Sequence, residues 1–309
     1  MNRLAKCLLI LTLVATAGTS VVACGGGGSD DALSSADASQ EEAVKRRHRR
    51  PQASVPTVPL PTPTSGKTRW QPAVSDTWQL QLSSSLDTSY SAAIYVVDLF
   101  DTSTQTIGML RSMGRRVVCY FSAGSSESWR PDFATFNASD MAHPLSGWPG
   151  ERWLDTRSKN VRHIMTLRLD LARGKGCDGV DPDNVDGYTN KTEFPLDAKT
   201  QLEYNRFLAQ EAHARGLAIG LKNDVDQLAE LEPDFDFAVN EQCAQYDECD
   251  GYRVFIGNGK PVLQVEYAAE YQNNTGGARD GLCKAANAAN RRALVLPLRL
   301  DAGYRLSCD

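Results

Sequence analysis

Eight short, mostly apolar runs, generally separated by stretches of helical periodicity, restrict what this chain can fold into more than any other feature. They are Thr77–Leu82, Ala93–Asp98, Arg116–Phe121, the run leading into Asp181, Leu217–Leu221, Phe235–Val239, Pro261–Val265 and Ala293–Leu298. Thr104–Met113, Asn160–Ala172, Thr200–Arg215 and Asp280–Arg291 repeat apolar residues at helical spacing. A strand that is apolar throughout must be buried on both faces, and a parallel sheet covered by helices does this. Alternation of strand and helix through residues 76–309 therefore predicts an α/β fold, a (β/α)8 TIM-type barrel. A doubly wound open sheet is the competing architecture. No glycine-rich phosphate loop follows the first strand, so no dinucleotide or other cofactor is expected.

The strand ends carry the chemistry. Asp98, Tyr120, Asp181, Asp183, Lys222, Asn223, Glu241 and Glu266 stand at or just beyond the ends of separate runs. In a barrel those ends converge on one face, where active sites are built. The densest stretch, Gly176 to Tyr188, holds four Asp residues and Asn184. Pro182 biases Asp181 toward extended backbone, so Asp181 and Asp183 point to one face. Neighbouring carboxylates repel and are costly to desolvate, so stability alone does not place them there. An EF-hand is excluded by register, because Asp186 and Gly187 fall one residue late for the loop glycine. His143, His163 and His213 are not at strand ends, and no His/Cys cluster has zinc spacing, so no metal site is expected. Trp129, Trp148 and Trp153, after the third run, suit either the core or stacking on sugar rings.

Charge narrows the ligand. Residues 1–67 carry eight Lys/Arg and five Asp/Glu, leaving 25 basic and 33 acidic residues in 68–309. That balance argues against nucleic acid as a partner and suits a cationic or polyhydroxyl ligand.

The N-terminus reads as a targeting segment. Arg3 and Lys6 precede an apolar run from Leu8 to Val22, closed by Val21-Val22-Ala23-Cys24. This resembles a bacterial lipoprotein signal whose Cys24 receives the lipid. The expected order is a signal at 1–24, a Gly/Ser/Pro-rich and basic linker at 25–75, and the barrel at 76–309. A lipid anchor would hold the protein at an outer membrane or cell surface. Export implies an oxidising compartment, where Cys119, Cys177, Cys243, Cys249, Cys283 and Cys308 can pair. Cys243 and Cys249 are the expected local bridge, and Cys283 could reach Cys308. Cys119 and Cys177 either pair or are simply buried.

Tyr120–Gly124, Asp178–Tyr188, Gly220–Asn223 and Val239–Cys243 together resemble glycoside hydrolase family 114, whose characterised activity is endo-α-1,4-polygalactosaminidase. The resemblance covers roughly residues 76 to 270. It implies a (β/α)8-type barrel that cleaves galactosamine-rich polysaccharide with one Asp and one Glu. The Asp belongs to the motif matched by Asp181–Asn184, the Glu to that matched by Asn240–Gln242. Two carboxyl groups, one donating a proton and one ionised, are what glycoside hydrolysis needs. Asp181 is favoured over Asp183 as the ionised partner because it lies nearer the strand and is held by Pro182. Glu241 is the expected acid. Asp98, Tyr120, Asp183, Asn184, Lys222, Asn223 and Glu266 are then expected to bind substrate. A non-catalytic lectin on the same barrel is the alternative.

Overall fold

The computed structural model describes residues 69–309. Cys24 and the segment expected to be leader and linker, up to residue 68, lie outside them. The chain begins with β1 (Trp78–Gln81), β2 (Ile94–Asp98), α1 (Thr104–Ser112) and β3 (Arg116–Ser122). Three short strands follow, β4 (Ser125–Glu127), β5 (Met141–Pro144) and β6 (Glu151–Leu154). Next come α2 (Lys159–Lys175), β7 (Gly179–Asp183), α3 (Ala198–Ala214), β8 (Ala218–Lys222), α4 (Leu228–Leu231) and β9 (Phe237–Glu241). The last elements are α5 (Arg253–Gly257), β10 (Val262–Glu266), α6 (Ala269–Asn273), α7 (Ala278–Ala288), β11 (Arg292–Val295) and β12 (Leu306–Ser307).

Eight of these strands pair parallel in the order β1-β2-β3-β7-β8-β9-β10-β11, and β12 joins β11 antiparallel. The sheet curls as a (β/α)8 barrel does. Its two ends meet through isolated contacts instead of a ladder. The Trp78 indole donates to the Arg292 carbonyl at 2.8 Å, and the Leu82 and Ser83 amides donate to Leu300. Arg305, just before β12, reaches Gln79 and the Trp78 carbonyl.

Strand side chains sort by parity. Ile94, Val96, Val118, Val239, Leu263 and Val265 fill the interior, whereas Tyr95, Val97, Val117, Cys119 and Phe121 pack outward with helix residues such as Ile107, Ile164 and Leu208. Ser158 caps α2 and Asp197 caps α3 with their side chains, which satisfies amides a helix cannot satisfy itself. Gly220 faces inward where an added Cβ would strike the Phe237 ring. Disulfides join Cys119 to Cys177, Cys243 to Cys249 and Cys283 to Cys308. No helix among the described residues is long and apolar enough to cross a membrane.

Two features depart from the sequence expectation. The domain starts before residue 76: Arg69 forms an ion pair with Asp236 at 2.8 Å, and Trp70 lies against Phe237, closing the barrel floor. Residues 125–154 also form an antiparallel sheet, β4-β6-β5, beside the mouth.

Candidate active site

Interior parity puts Tyr120, Asp181, Asp183, Lys222 and Glu241 inside the barrel near the strand ends. Asp183, Lys222 and Glu241 are the last residues of β7, β8 and β9. Each is followed by a non-glycine residue in the left-handed region: Asn184 at φ 60°, Asn223 at φ 48° and Gln242 at φ 67°. Asn tolerates that conformation better than most side chains; Gln is strained there. The chain thus turns sharply at once, leaving each terminal side chain aimed into the mouth. The ladder from β7 to β8 stops at Val180, two residues before Pro182, which has no N–H to extend it.

Lys222 is the hub. Its side chain is 3% exposed, and its ammonium lies 3.3 Å from Asp183, 3.7 Å from Glu241 and 4.0 Å from Asp181. It also sits 5.3 Å over the Tyr120 ring. Burial pulls its pKa down, but Asp183, Glu241 and Asp181 prevail and hold it above the usual lysine value. Asp183 collects two further donors, the Tyr120 hydroxyl at 2.7 Å and the Asn184 amide at 2.8 Å. Glu241 accepts the Tyr267 hydroxyl at 2.6 Å on Oε1. Each carboxyl group therefore receives one tyrosine from an adjacent strand.

The two aspartates differ in access. Asp183 is 19% exposed and Glu241 27% exposed, so both open to the mouth. Asp181 is fully buried, and neither of its oxygens has a hydrogen-bond partner among the described residues. Burial, opposed by Lys222 and reinforced by Asp183 and Glu241, pushes its pKa up to about 7. Asp181, favoured from the sequence as the ionised partner, is held by no hydrogen-bond donor among the described residues. Among the described residues Lys222 alone approaches it at ion-pair distance, 4.0 Å.

Four other expected site residues face protein groups instead of the opening. Asp98 is held by both Arg130 guanidinium nitrogens, at 3.0 and 2.6 Å, and by the Phe100 and Asp101 amides. Asn184 donates to Ser122 and Ser125, tying the end of β7 to β3 and β4. Asn223 accepts the backbone amide of Glu241 at 2.9 Å and so fixes the end of β9. Glu266 has outward parity, is fully buried, and accepts the Ala244 amide at 2.8 Å, bracing the loop closed by Cys243–Cys249. These side chains hold the frame around Asp183 and Glu241. Gly124 belongs to the same frame, because the Asn184 carbonyl occupies the space its Cβ would need.

Sequence reasoning missed Tyr267, Arg130, Glu127 and Glu151. Glu127 and Glu151 oppose each other across β4 and β6, both buried. Arg130 pairs with Glu127 at 2.8 Å, and the Ser125 hydroxyl donates to Glu151 at 2.6 Å. Burial, with Glu127 adding to it, pushes Glu151 up to about 8. Of the tryptophans, Trp153 is buried and Trp148 is 42% exposed. Tyr267 was findable, since Leu263 and Val265 define an inward parity that it continues.

The model of glycoside-hydrolase family GH114 matches residues 60–309. The chain belongs to that family. This GH114 chain is similar in structure to Ega3 of Aspergillus fumigatus, solved in complex with galactosamine, at 45% identity and a TM-score of 0.73. That match covers 79% of this chain and 99% of Ega3. The glycoside hydrolase domain of PelA from Pseudomonas aeruginosa shares the fold at 14% identity, with a TM-score of 0.59 over 75% of this chain and 98% of that domain. No curated protein sequence matches the chain. As a GH114 member it is a glycoside hydrolase.

Proposed function

We propose that this enzyme cleaves galactosamine-rich polysaccharide internally, at α-1,4 linkages, with Asp183 and Glu241 as its two catalytic carboxyl groups. The observation that carries this is the Lys222 ammonium within ion-pair reach of both, where both are open to the mouth. Asp183, on which three donors converge, suits the ionised partner that attacks or activates water. Glu241 leaves Oε2 free to protonate the leaving oxygen. Asp181, the expected ionised partner, is fully buried, whereas Asp183 is 19% exposed. Tyr120 and Lys222 orient the pair, and an excess of acidic groups in residues 68–309 favours a polymer bearing ammonium groups. The galactosamine complex of Ega3, 45% identical, supports that substrate class.

Incubation of the domain with partly deacetylated galactosaminoglycan, followed by product sizing, tests the reading. Chains should shorten rapidly with wild type and not with Asp183→Asn or Glu241→Gln, both nearly isosteric. A folded Glu241→Gln variant with full activity would end the assignment.

The basic and apolar leader ending in Val21-Val22-Ala23-Cys24 supports a second part of this proposal, an exported lipoprotein tethered through Cys24, with residues 1–24 as signal. Three disulfides support an oxidising compartment. Cys24→Ser should move the protein from the detergent phase to the aqueous phase; unchanged partitioning would rule out the anchor.

A further inference from the structure

Asp181 sits one layer beneath the catalytic pair, fully buried, with no hydrogen bond to either oxygen among the described residues. A buried carboxyl group without donors is costly, and the cost is greatest when it is ionised. Its register partner on β3 is Tyr120, whose hydroxyl is committed to Asp183. Asp183 lies above it on β7, Lys222 faces it from β8 and Glu241 from β9. Tyr267, beyond β10, is bonded to Glu241, and Asp98 on β2 to Arg130. Among the described residues Lys222 is thus the one cation within ion-pair reach, and it is shared with both residues of the pair.

We propose that Asp181 is a positioning residue that governs Lys222: protonated, it leaves the ammonium to Asp183 and Glu241, and ionised, it draws the ammonium down and away from them. This rests on the Asp183–Glu241 reading above. The ion-pair distances order the effect. Asp181 is the most distant of the three acids at 4.0 Å, so a small inward swing of Lys222 shortens that contact and lengthens the other two. Its pKa of about 7 sets the range in which the exchange occurs. The consequence is an alkaline decline in kcat that belongs to neither catalytic carboxyl.

Profiles of kcat and kcat/KM from pH 4 to 10 for wild type, Asp181→Asn and Asp183→Asn test this. Asp181→Asn cannot ionise. It should retain at least about a tenth of wild-type kcat at pH 6, and its alkaline decline should move up by about one pH unit or more. Asp183→Asn should lose roughly a thousandfold at every pH. A wild-type alkaline limb in Asp181→Asn would overturn the proposal and leave the catalytic pair intact. An inactive, folded Asp181→Asn beside an active Asp183→Asn would overturn the pair itself. Should Asp181→Asn fail to fold, carboxyl-carbon NMR of the wild type decides. A buried aspartate that titrates near neutral pH supports the proposal, and none titrating between pH 5 and 9 defeats it.

Discussion

The Tyr267 hydroxyl donates to Glu241 Oε1 across 2.6 Å, from just past the strand beside the one that carries the glutamate. Among the described residues this hydroxyl is the hydrogen-bond donor to the Glu241 side chain, so it orients the carboxyl group directly. Tyr267→Phe should lower kcat by about 10- to 100-fold, the rate equivalent of losing about 1.5–3 kcal/mol from a charge-assisted bond. Tyr120→Phe should cost less, because Asp183 keeps Lys222 and the Asn184 amide. Kinetics at matched Tm would check both, and an unchanged kcat in Tyr267→Phe contradicts the orienting role.

Hydrolysis should retain anomeric configuration. The oxygens of Asp183 and Glu241 that face Lys222 can be no further apart than its legs of 3.3 and 3.7 Å laid end to end. That limit reaches only the lower edge of the roughly 6.5–9.5 Å that inverting enzymes use to seat a water. Proton NMR of the first reducing ends released would settle the outcome; the opposite anomer would assign inversion.

Stability should fall as pH rises from about 5 to 8. Asp181 is pushed up to about 7 and Glu151 and Asp224 to about 8, chiefly by burial. The folded state therefore keeps protons that the unfolded chain releases near pH 4, and this contribution fades as pH climbs through the folded values. Asp140 and Asp236, held low mainly by hydrogen bonds that outweigh burial, act oppositely and lose their contribution only in more acidic solution. Calorimetry should show Tm dropping on the order of 10 °C across pH 5 to 8. Glu151→Gln with Asp224→Asn should flatten the slope. A Tm that rises over this range would refute the argument.

The disulfides should differ in worth. Cys243–Cys249 closes a separation of 6 residues and Cys119–Cys177 one of 58. Chain-entropy scaling gives about 2 kcal/mol for the first and about 4 kcal/mol for the second. Paired Cys→Ala variants in urea would measure both. Removal of the short bridge should lower kcat more than stability, since it frees the loop that Glu266 braces beside Glu241. Equal losses of stability would contradict this ordering.

What the sequence revealed follows from how a barrel strand is buried. Runs such as Ala93–Asp98 and Leu217–Leu221 are apolar on both faces, so their existence and parallel pairing were legible. The polar residues closing them marked the mouth, and Glu241 and Asp183 stand there. The same double burial hid which face each side chain takes. Glu266 and Tyr267 are neighbours, yet one braces a loop outside while the other reaches Glu241 inside. Asp181 and Asp183 share a face, but depth separates them, and depth leaves no periodic trace. The β4-β6-β5 sheet was unreadable because its strands are only three or four residues long. Trp70 fell within the expected linker, because its contact with Phe237 lies 167 residues along the chain.

That contact fixes a direction. Trp70 rests on Phe237, the first residue of the strand whose last residue is Glu241, so the polypeptide enters the barrel at the end opposite the reacting groups. Five residues of strand separate entrance from mouth by about 13 Å. Anything upstream that fastened this chain to a surface would join it at its base, on the side away from the cleft. A polymer lying beyond the protein would then meet the cleft before it met the point of attachment.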